Sequence, residues 1–159
     1  MSTRDISSDF YFMREALKHA ERAFELDEVP VGAVIASAEH GVIASAHNMR
    51  EMLQDATAHA ELIAIKKACE ILGSWRLVGY SLYVTLEPCP MCAGAAILSR
   101  VDKIVFGAHD PKAGVCGSLL NLPQDERFNH RPVVVSGVLA EECADILKRF
   151  FQKKRSHEL

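Results

Sequence analysis

Two short segments of this sequence carry side chains that bind metal ions and move protons. The segment "TAHAELI" contains His59 and Glu61, and "LEPCPMCAGA", about thirty residues further on, contains Cys89 and Cys92. A neutral imidazole and two thiolates are zinc ligands, and a set of three leaves the fourth position of a tetrahedral ion open for water. The pattern therefore indicates a zinc site that activates water, with Glu61 as the base that takes the proton.

The spacing of Glu61 from His59 supports this division of roles. Residues two apart do not share a helix face, so Glu61 is not expected to be a further ligand, although both side chains in the first turn can reach a pocket above the helix end. A Glu in such a position is otherwise a capping carboxylate. The presence of His59 and the cysteine pair favours catalysis.

Two other interpretations of the cysteine pair remain open. A strand followed by Cys-x-x-Cys and a helix is also the arrangement of thioredoxin-like redox proteins, although a dithiol switch needs neither His59 nor Glu61. Alternatively, Cys116 in the loop "AGVCGS" is placed to close a structural zinc site as a fourth ligand. Cys69 and Cys143 fall in helical patterns and are expected to be ordinary thiols.

The spacing of apolar residues predicts the elements that position these groups. An amphipathic helix comes first, behind the N-cap candidates Ser7 and Ser8, and a hairpin follows around the turn "AEHG". Helices and strands then alternate: helix "AHAELIAIKKACEIL", strand "YSLYVTLE", helix "CPMCAGAAILS", strands "DKIVFGAH" and "PVVVSGVL", and helix "EECADILKRFFQKK". Strands joined through helices favour parallel pairing and a sheet covered on both faces.

The predicted fold class is α/β, a three-layer α/β/α domain around a mixed five-stranded sheet. Both chemical motifs begin helices, and in open α/β sheets such junctions converge at one edge, where ligands bind. Length and composition predict one domain, 1–159, with frayed ends at 1–8 and 156–159, since 159 residues of which 49% are hydrophobic can bury one core. No signal peptide or membrane span is recognisable, so a cytoplasmic location is expected.

The C-terminal segment "KRFFQKKR" (148–155) holds five of the chain's 18 Lys and Arg residues and no acidic residue. A basic segment with aromatic residues suggests a phosphate-bearing partner. The same segment is also consistent with a solvated helix end whose cations complement the helix dipole. Phe150 and Phe151 are expected to anchor that helix or to stack on bases.

The motif pair H-x-E and P-C-x-x-C, present as "HAE" (59–61) and "PCPMC" (88–92), resembles the known signature of the cytidine-deaminase-like zinc deaminases. Four further blocks resemble the branch formed by the bacterial tRNA-specific adenosine deaminases: "EVPVGAVI", "AHN", "LEPCPMCAGAAILSR" and "FGAHDPKAG". The resemblance covers roughly residues 9–155. It implies a cytidine-deaminase-like fold and conversion of the wobble adenosine of a tRNA anticodon to inosine.

The resemblance also implies roles for single residues. It implies one Zn²⁺ per chain, bound by His59, Cys89 and Cys92, with Glu61 as the proton shuttle. Asn48 corresponds to a residue that hydrogen-bonds the purine, and its amide offers the donor and the acceptor that this requires. Read without the family, Asn48 has the alternative role of a turn residue after a strand.

The resemblance also implies two residues that line the pocket and three basic residues that contact the RNA. Val31 forms part of the pocket wall, and Asp110 lies at the rim, where its carboxylate accepts a hydrogen bond from a ribose hydroxyl. As sequence alone, Asp-Pro is more often a turn starter. The partner implied is a tRNA anticodon stem-loop, whose phosphates Lys153, Lys154 and Arg155 would contact. The family also implies a homodimer.

Two rival functions share parts of this pattern. A deaminase of free nucleobases or nucleosides would have the same zinc site but no use for a basic tail. A structural-zinc RNA-binding module would have the tail but no open metal position. Products formed from tRNA, adenosine, cytidine and guanine distinguish these alternatives.

Overall fold

The computed structural model describes residues 3–157 and places five strands in one mixed sheet, in the order β2-β1-β3-β4-β5. The strands are β1 (Gly32–Ser37), β2 (Gly41–His47), β3 (Ser81–Leu86), β4 (Lys103–Ala108) and β5 (Val133–Val135). The helices are α1 (Thr3–Glu25), α2 (Arg50–Leu53), α3 (Ala60–Leu72), α4 (Pro90–Leu98) and α5 (Ala140–His157), with a 3₁₀ turn at Leu122–Gln124. None of the helices described is long and apolar enough to cross a membrane.

Pairing in the sheet changes direction between β1 and β3. Strand β1 is antiparallel to both β2 and β3, whereas the pairs β3–β4 and β4–β5 are parallel. The parallel pairs follow from the connections, because a chain that passes through a helix such as α4 returns to the same end of the sheet before the next strand starts. The predicted α/β class with a mixed five-stranded sheet is confirmed.

Side chains alternate between the two faces of the sheet and create two cores. On β1, Ala33 and Ile35 face the core shared with α3 and α4, while Val34 and Ala36 face the core shared with α1 and α5. This alternation is the ordinary two-residue period of a strand. Because both faces are covered by helices, the central strands read as nearly continuous apolar runs, and the three-layer prediction is confirmed.

Helix α1 packs unusually close to β1. A Cβ on Gly32 would lie 1.9 Å from the carbonyl oxygen of Ala16, so only glycine permits this approach. The buried carboxylate of Asp9 also ties α1 to the sheet, since its Oδ1 accepts a hydrogen bond of 2.7 Å from the Tyr83 hydroxyl and lies 2.8 Å from Lys103 Nζ. Helix α1 is thus locked against β1, β3 and β4.

The segments expected to fray are helical where the structure describes them, since α1 begins at Thr3 and α5 continues to His157. Ser7 and Ser8 therefore lie within α1, and the prediction that they cap its N-terminus is wrong. Residues 1–2 and 158–159 of those segments lie outside the described part of the chain. The sequence analysis did not predict the short helix α2, because four residues complete barely one helical turn and show no apolar period.

Candidate active site

His59, Cys89 and Cys92 converge although thirty residues separate the first from the second. His59 is the N-cap of α3, Cys89 is the N-cap of α4, and Cys92 lies in the first turn of α4. The Nδ1 atom of His59 lies 3.6 Å from Cys89 Sγ and 3.5 Å from Cys92 Sγ. Among the described residues, these three form the group of His, Cys, Asp and Glu whose ligand atoms are close enough to hold a metal ion.

The separations within this cluster suit a tetrahedral zinc ion. Bonds of about 2.3 Å to sulfur and about 2.0–2.1 Å to nitrogen, at a tetrahedral angle, place the two ligand atoms roughly 3.6 Å apart. Cys116, considered above as a fourth ligand, does not belong to the converging group. Burial raises the pKa of Cys116 to about 12, so it stays a protonated thiol. The cluster therefore offers three ligands.

Hydrogen bonds within the cluster favour one thiolate. A hydrogen bond from the Cys92 thiol, more than any other effect, lowers the pKa of Cys89 to about 4, and His59 contributes in the same direction. The negative sulfur in turn raises the pKa of His59. The position at a helix N-terminus adds to this preference because the helix dipole stabilises anions there. Cys89 is therefore poised to bind a cation.

Glu61 lies beside this cluster in the first turn of α3 and is 4% exposed. Burial raises its pKa to about 7, because the ionised carboxylate loses hydration, while the proximity of His59 acts in the opposite direction. A carboxylate with a pKa near neutrality both takes up and releases protons under physiological conditions. The geometry thus combines a metal-binding cluster with an adjacent acid–base group.

The cluster opens into a cavity of about 230 Å³. The cavity is lined by Val29, Val31, Asn48, Arg50, His59, Ala60, Glu61, Leu86, Glu87, Cys89, Asp110 and Ala113. Its volume is below the roughly 300–1,000 Å³ of pockets for drug-sized ligands and suits a single heterocyclic base. A larger groove of about 820 Å³ between α1 and α5 has no His or Cys in its lining.

Asn48, predicted to contact the purine, lines the cavity and is 7% exposed. Its Nδ2 donates to the Val29 carbonyl at 3.2 Å, and its Oδ1 accepts from the Arg50 amide at 3.1 Å. Each amide group keeps one further hydrogen-bonding position, since NH₂ has a second hydrogen and the oxygen a second lone pair. Asn48 is both the turn residue and a cavity residue, so the two readings of the sequence are compatible.

Asp110 also lies at the cavity and organises a turn at the same time. Its Oδ1 accepts hydrogen bonds from the amides of Lys112 and Ala113 at 3.0 and 3.2 Å. No hydrogen bond to its second carboxylate oxygen is seen among the described residues. The predicted turn role is present, and the position at the cavity leaves room for the predicted contact with a ribose.

Two buried glutamates escaped the sequence analysis: Glu87, which lines the cavity, and Glu28, which lines the neighbouring groove. Glu28 is 1% exposed and accepts the amides of Glu51 and Met52 at 2.9 and 2.7 Å, which fixes the start of α2. Glu87 is 2% exposed and accepts several hydrogen bonds from the loop 109–118. The available signal was a charged residue bordering an apolar strand-like run, in "DEVPVGAVI" and in "YVTLEPC".

The basic tail forms the last turns of α5. Lys154 Nζ lies 2.6 Å from Asp27 Oδ2, and Lys153 Nζ lies 5.3 Å from the ring centre of Phe24. Phe150 is buried against Phe24, as expected for an anchor, whereas Phe151 is 46% exposed. Arg155 is exposed. A groove containing Phe151 and Lys154 shares Val29 and Arg50 with the cavity, so the tail lies beside the cavity mouth.

Residues 6–108 match the family model described as the cytidine and deoxycytidylate deaminase zinc-binding region. The chain therefore belongs to this family of zinc-dependent deaminases, and the match with the His–Cys–Cys cluster fits one Zn²⁺ per chain. Within the family it is similar to the tRNA-specific adenosine deaminase of Bacillus subtilis, with 57% identity over 94% of this chain and 92% of that protein. The corresponding Aquifex aeolicus protein is 48% identical over 92% of this chain and 96% of its own length.

Solved structures agree with this placement. A structure from "Biochemical and Structural Studies of A-to-I Editing by tRNA:A34 Deaminases at the Wobble Position of Transfer RNA" is 46% identical, with a TM-score of 0.82 over 86% of this chain and 99% of that chain. A guanine deaminase from Nitrosomonas europaea, 24% identical, has a TM-score of 0.75 over 89% of this chain and 83% of its own. This second likeness concerns the fold alone. The predicted deaminase family and cytidine-deaminase-like fold are confirmed.

Proposed function

We propose that this chain hydrolyses adenosine to inosine at the wobble position of a tRNA anticodon. The observation that carries the proposal is the buried carboxylate of Glu61 beside the His59, Cys89 and Cys92 cluster, at a cavity sized for one base. Relatives with high identity over nearly the whole chain bear the name tRNA-specific adenosine deaminase. They give the substrate, which the cavity by itself does not specify.

The proposed roles follow from position and protonation. His59, Cys89 and Cys92 would hold the zinc ion, which would supply a nucleophile near neutral pH by lowering the pKa of water. Glu61 takes a proton from the attacking water and passes it to the ring nitrogen beside C6 of adenine, so that C6 becomes more electrophilic. The same carboxylate then takes the proton of the new C6 hydroxyl and passes it to the amino group, which leaves as ammonia while C6 becomes the carbonyl of inosine. Burial, which raises the pKa of Glu61 to about 7, suits both transfers.

The cavity walls are proposed to recognise the nucleoside. Asn48 hydrogen-bonds the purine with the amide positions that its main-chain partners leave free, and Val31 forms an apolar wall. Asp110 accepts a hydrogen bond from a ribose hydroxyl. An adenine must leave its stack to enter such a cavity, and this costs least for an unpaired base in a loop.

The tail and the cavity mouth are proposed to meet the anticodon stem-loop. Lys153, Lys154 and Arg155 approach phosphates, with Lys154 exchanging Asp27 for the nucleic acid. Affinity that rests on such contacts falls with rising salt concentration, because counterions are released from the RNA. The groove shared by Arg50 and Lys154 supports this arrangement.

We further propose that the chain acts as one deaminase domain, in the cytoplasm, as a homodimer. The two cores share one sheet, and all five cysteines are free thiols, which suits a reducing compartment.

Leu98 and Phe128 are 69% and 41% exposed and line one groove, and exposed apolar groups of this kind mark interfaces. Light scattering on Leu98→Glu should then show a shift toward monomer, and a wild-type monomer would contradict the dimer.

Product analysis by mass spectrometry tests the proposed reaction. The protein is incubated separately with total tRNA, adenosine, cytidine and guanine. Inosine should appear in tRNA, while the three small substrates stay unchanged. Deamination of a free base or nucleoside at a comparable rate would favour the first rival function. Zinc-loaded protein that binds tRNA without forming inosine would favour the structural-zinc RNA-binding module.

A further inference from the structure

The side chain of Glu87 is completely enclosed at the junction between β3 and α4. Its Oε1 accepts a hydrogen bond from the Asp110 amide at 3.0 Å and another from the Ser118 hydroxyl, and it lies 3.2 Å from His109 Nδ1. Its Oε2 accepts from the amides of Cys116 and Ser118 at 3.0 and 3.1 Å. One carboxylate thus gathers donors from both ends of the loop 109–118.

Main-chain contacts hold the same loop against the strand end. The Glu87 amide donates to the Ala108 carbonyl at 2.8 Å, and the Val115 amide donates to the Pro88 carbonyl at 3.0 Å. Within the loop, a Cβ on Gly114 would lie 2.3 Å from Glu87 Cδ. The loop therefore wraps directly around the carboxylate, and no side chain larger than hydrogen fits at Gly114 without displacement.

This loop forms one wall of the cavity through Asp110 and Ala113. Glu87 has no acceptor position left for the reaction, because two carboxylate oxygens provide about four acceptor positions and four donors already fill them. Its influence on a substrate must then pass through the loop that it holds. A buried carboxylate of this kind stabilises one loop position over the others that a chain of ten residues can adopt.

We propose that Glu87 is a positioning residue, which fixes the loop 109–118 and thereby sets Asp110 at the distance that the RNA sugar requires. The inference rests on the proposed function. It assigns to Glu87 a contribution to substrate binding that is separate from the metal cluster and from proton transfer by Glu61.

Glu87→Gln tests this role directly, because neither orientation of the Gln side-chain amide satisfies the main-chain donors around it. Each oxygen of Glu87 accepts at least one main-chain N–H, so either orientation of Gln points its NH₂ group at an amide donor. Ser118→Ala is a milder variant, since it removes one hydroxyl donor and leaves the main-chain donors in place. Asp9→Asn is the matched control: it alters another buried, hydrogen-bonded carboxylate that is absent from the cavity lining.

The measurements are kcat and KM for a minimal RNA anticodon stem-loop, together with zinc content and thermal midpoint, on wild type and all three variants. We expect Glu87→Gln to keep its zinc, to raise KM about tenfold or more, and to change kcat by less than about threefold. Ser118→Ala should raise KM by a smaller factor. Asp9→Asn should lower the thermal midpoint while leaving KM and kcat at wild-type values, because its partners Tyr83 and Lys103 do not line the cavity.

Several outcomes would overturn the proposal. Equal KM values for Glu87→Gln and Asp9→Asn, with both merely less stable, would make Glu87 a structural residue only. Loss of zinc from Glu87→Gln would assign it to the metal site instead of the loop. In both cases the wild type still converts the stem-loop. A wild type that leaves the stem-loop unchanged would refute the proposed function and this inference together.

Discussion

The carboxylate of Glu61 lies where water is nearly excluded, two residues after the proposed zinc ligand His59. Burial makes the ionised form of this carboxylate costly and raises its pKa toward neutrality. Glu61 can therefore both accept and release a proton, as a proton shuttle must. An ordinary first-turn capping glutamate would be exposed and would hold its charge throughout. The environment of Glu61 therefore separates the catalytic interpretation from the capping one.

Replacing Glu61 by Gln tests its role directly. The variant should fold and retain close to one zinc per chain, because Glu61 is outside the ligand group, yet lose nearly all turnover, because an amide cannot carry the proton. Metal analysis and a single-turnover assay measure the two quantities. Glu70→Gln, which alters an exposed carboxylate on the same helix, should behave as wild type. Activity of Glu61→Gln within about tenfold of wild type would require another base.

The sugar contact of Asp110 makes a second prediction. Asp110→Asn keeps the Oδ1 acceptor that binds the amides of Lys112 and Ala113, so the turn should persist. The variant replaces the other oxygen by a donor. If that oxygen meets a ribose hydroxyl, the preference for an RNA hairpin over the same DNA hairpin should fall, because the 2′-hydroxyl distinguishes them. An unchanged ratio of the two rates would leave Asp110 as a turn residue alone.

The sequence predicts the residues expected to carry out the chemistry more completely than the residues that hold the cavity walls in place. His59, Glu61, Cys89 and Cys92 stand in two short motifs, and their residue types limit what they can do together. Glu87 differs, because its main-chain donors lie 23 to 31 residues later, and no local pattern tells which amides will reach it. The hydrogen-bond partners of such a residue can be identified only in the folded structure.

Close contact between α1 and β1 limits what the sheet tolerates at Gly32. Gly32→Ala would push a methyl group into the Ala16 carbonyl and should lower the free energy of unfolding by about 3 kcal/mol or more, the upper end of the usual cost of overpacking. Gly94→Ala in α4 is the matched control, since no atom beyond its chain neighbours and the backbone of its own helix lies within 4 Å of the added Cβ. It should leave stability unchanged or raise it by up to about 1 kcal/mol, because alanine favours helix. Denaturant titration compares the two, and equal effects would contradict the close contact.

His19, on the face of α1 that meets β2, gives the fold a dependence on pH. Burial lowers its pKa below the usual 6.5, with help from the nearby charges of His47 and Lys67. As pH falls through 6.5, the unfolded chain therefore takes up a proton that the folded chain resists, and the free energy of unfolding decreases. His19→Gln should lose less stability than wild type between pH 7.5 and 5.5. Identical losses in both proteins, measured by denaturant titration, would exclude this contribution.

At the level of elements, the apolar pattern predicted all five strands and the four longer helices, because the strands are short apolar runs and the helical segments are longer than a strand. Gly73 ends α3 in the left-handed conformation, which glycine adopts without strain. The pattern does not contain the direction of pairing between β1 and β3, which depends on how α3 crosses the sheet. It also omits α2, whose amides are held by Glu28 from 23 and 24 residues upstream.

Across the whole molecule, positive charge is concentrated where the last helix passes the cavity mouth. Lys154→Glu should weaken binding of an RNA stem-loop and flatten its salt dependence by up to about one counterion, if Lys154 meets a phosphate. Lys148→Glu is the matched control, because it makes the same charge change on the same helix, in the groove between α1 and α5. Binding measured at two salt concentrations decides the matter. Equal slopes for both variants would make the tail a solvated helix end.

The first and last helices lie together, with Arg14 beside Glu142 and Lys154 beside Asp27, on the face of the sheet away from α3 and α4. This arrangement has a consequence for synthesis on the ribosome. The proposed zinc ligands and Glu61 have all been made by residue 92, but helix α5, which completes the opposite face, is translated after them. Until α5 leaves the exit tunnel, Val34, Tyr83 and Val105 have only α1 to cover them. A nascent chain can therefore assemble its metal-binding half first, while a chain that stops before α5 would expose an apolar sheet and aggregate.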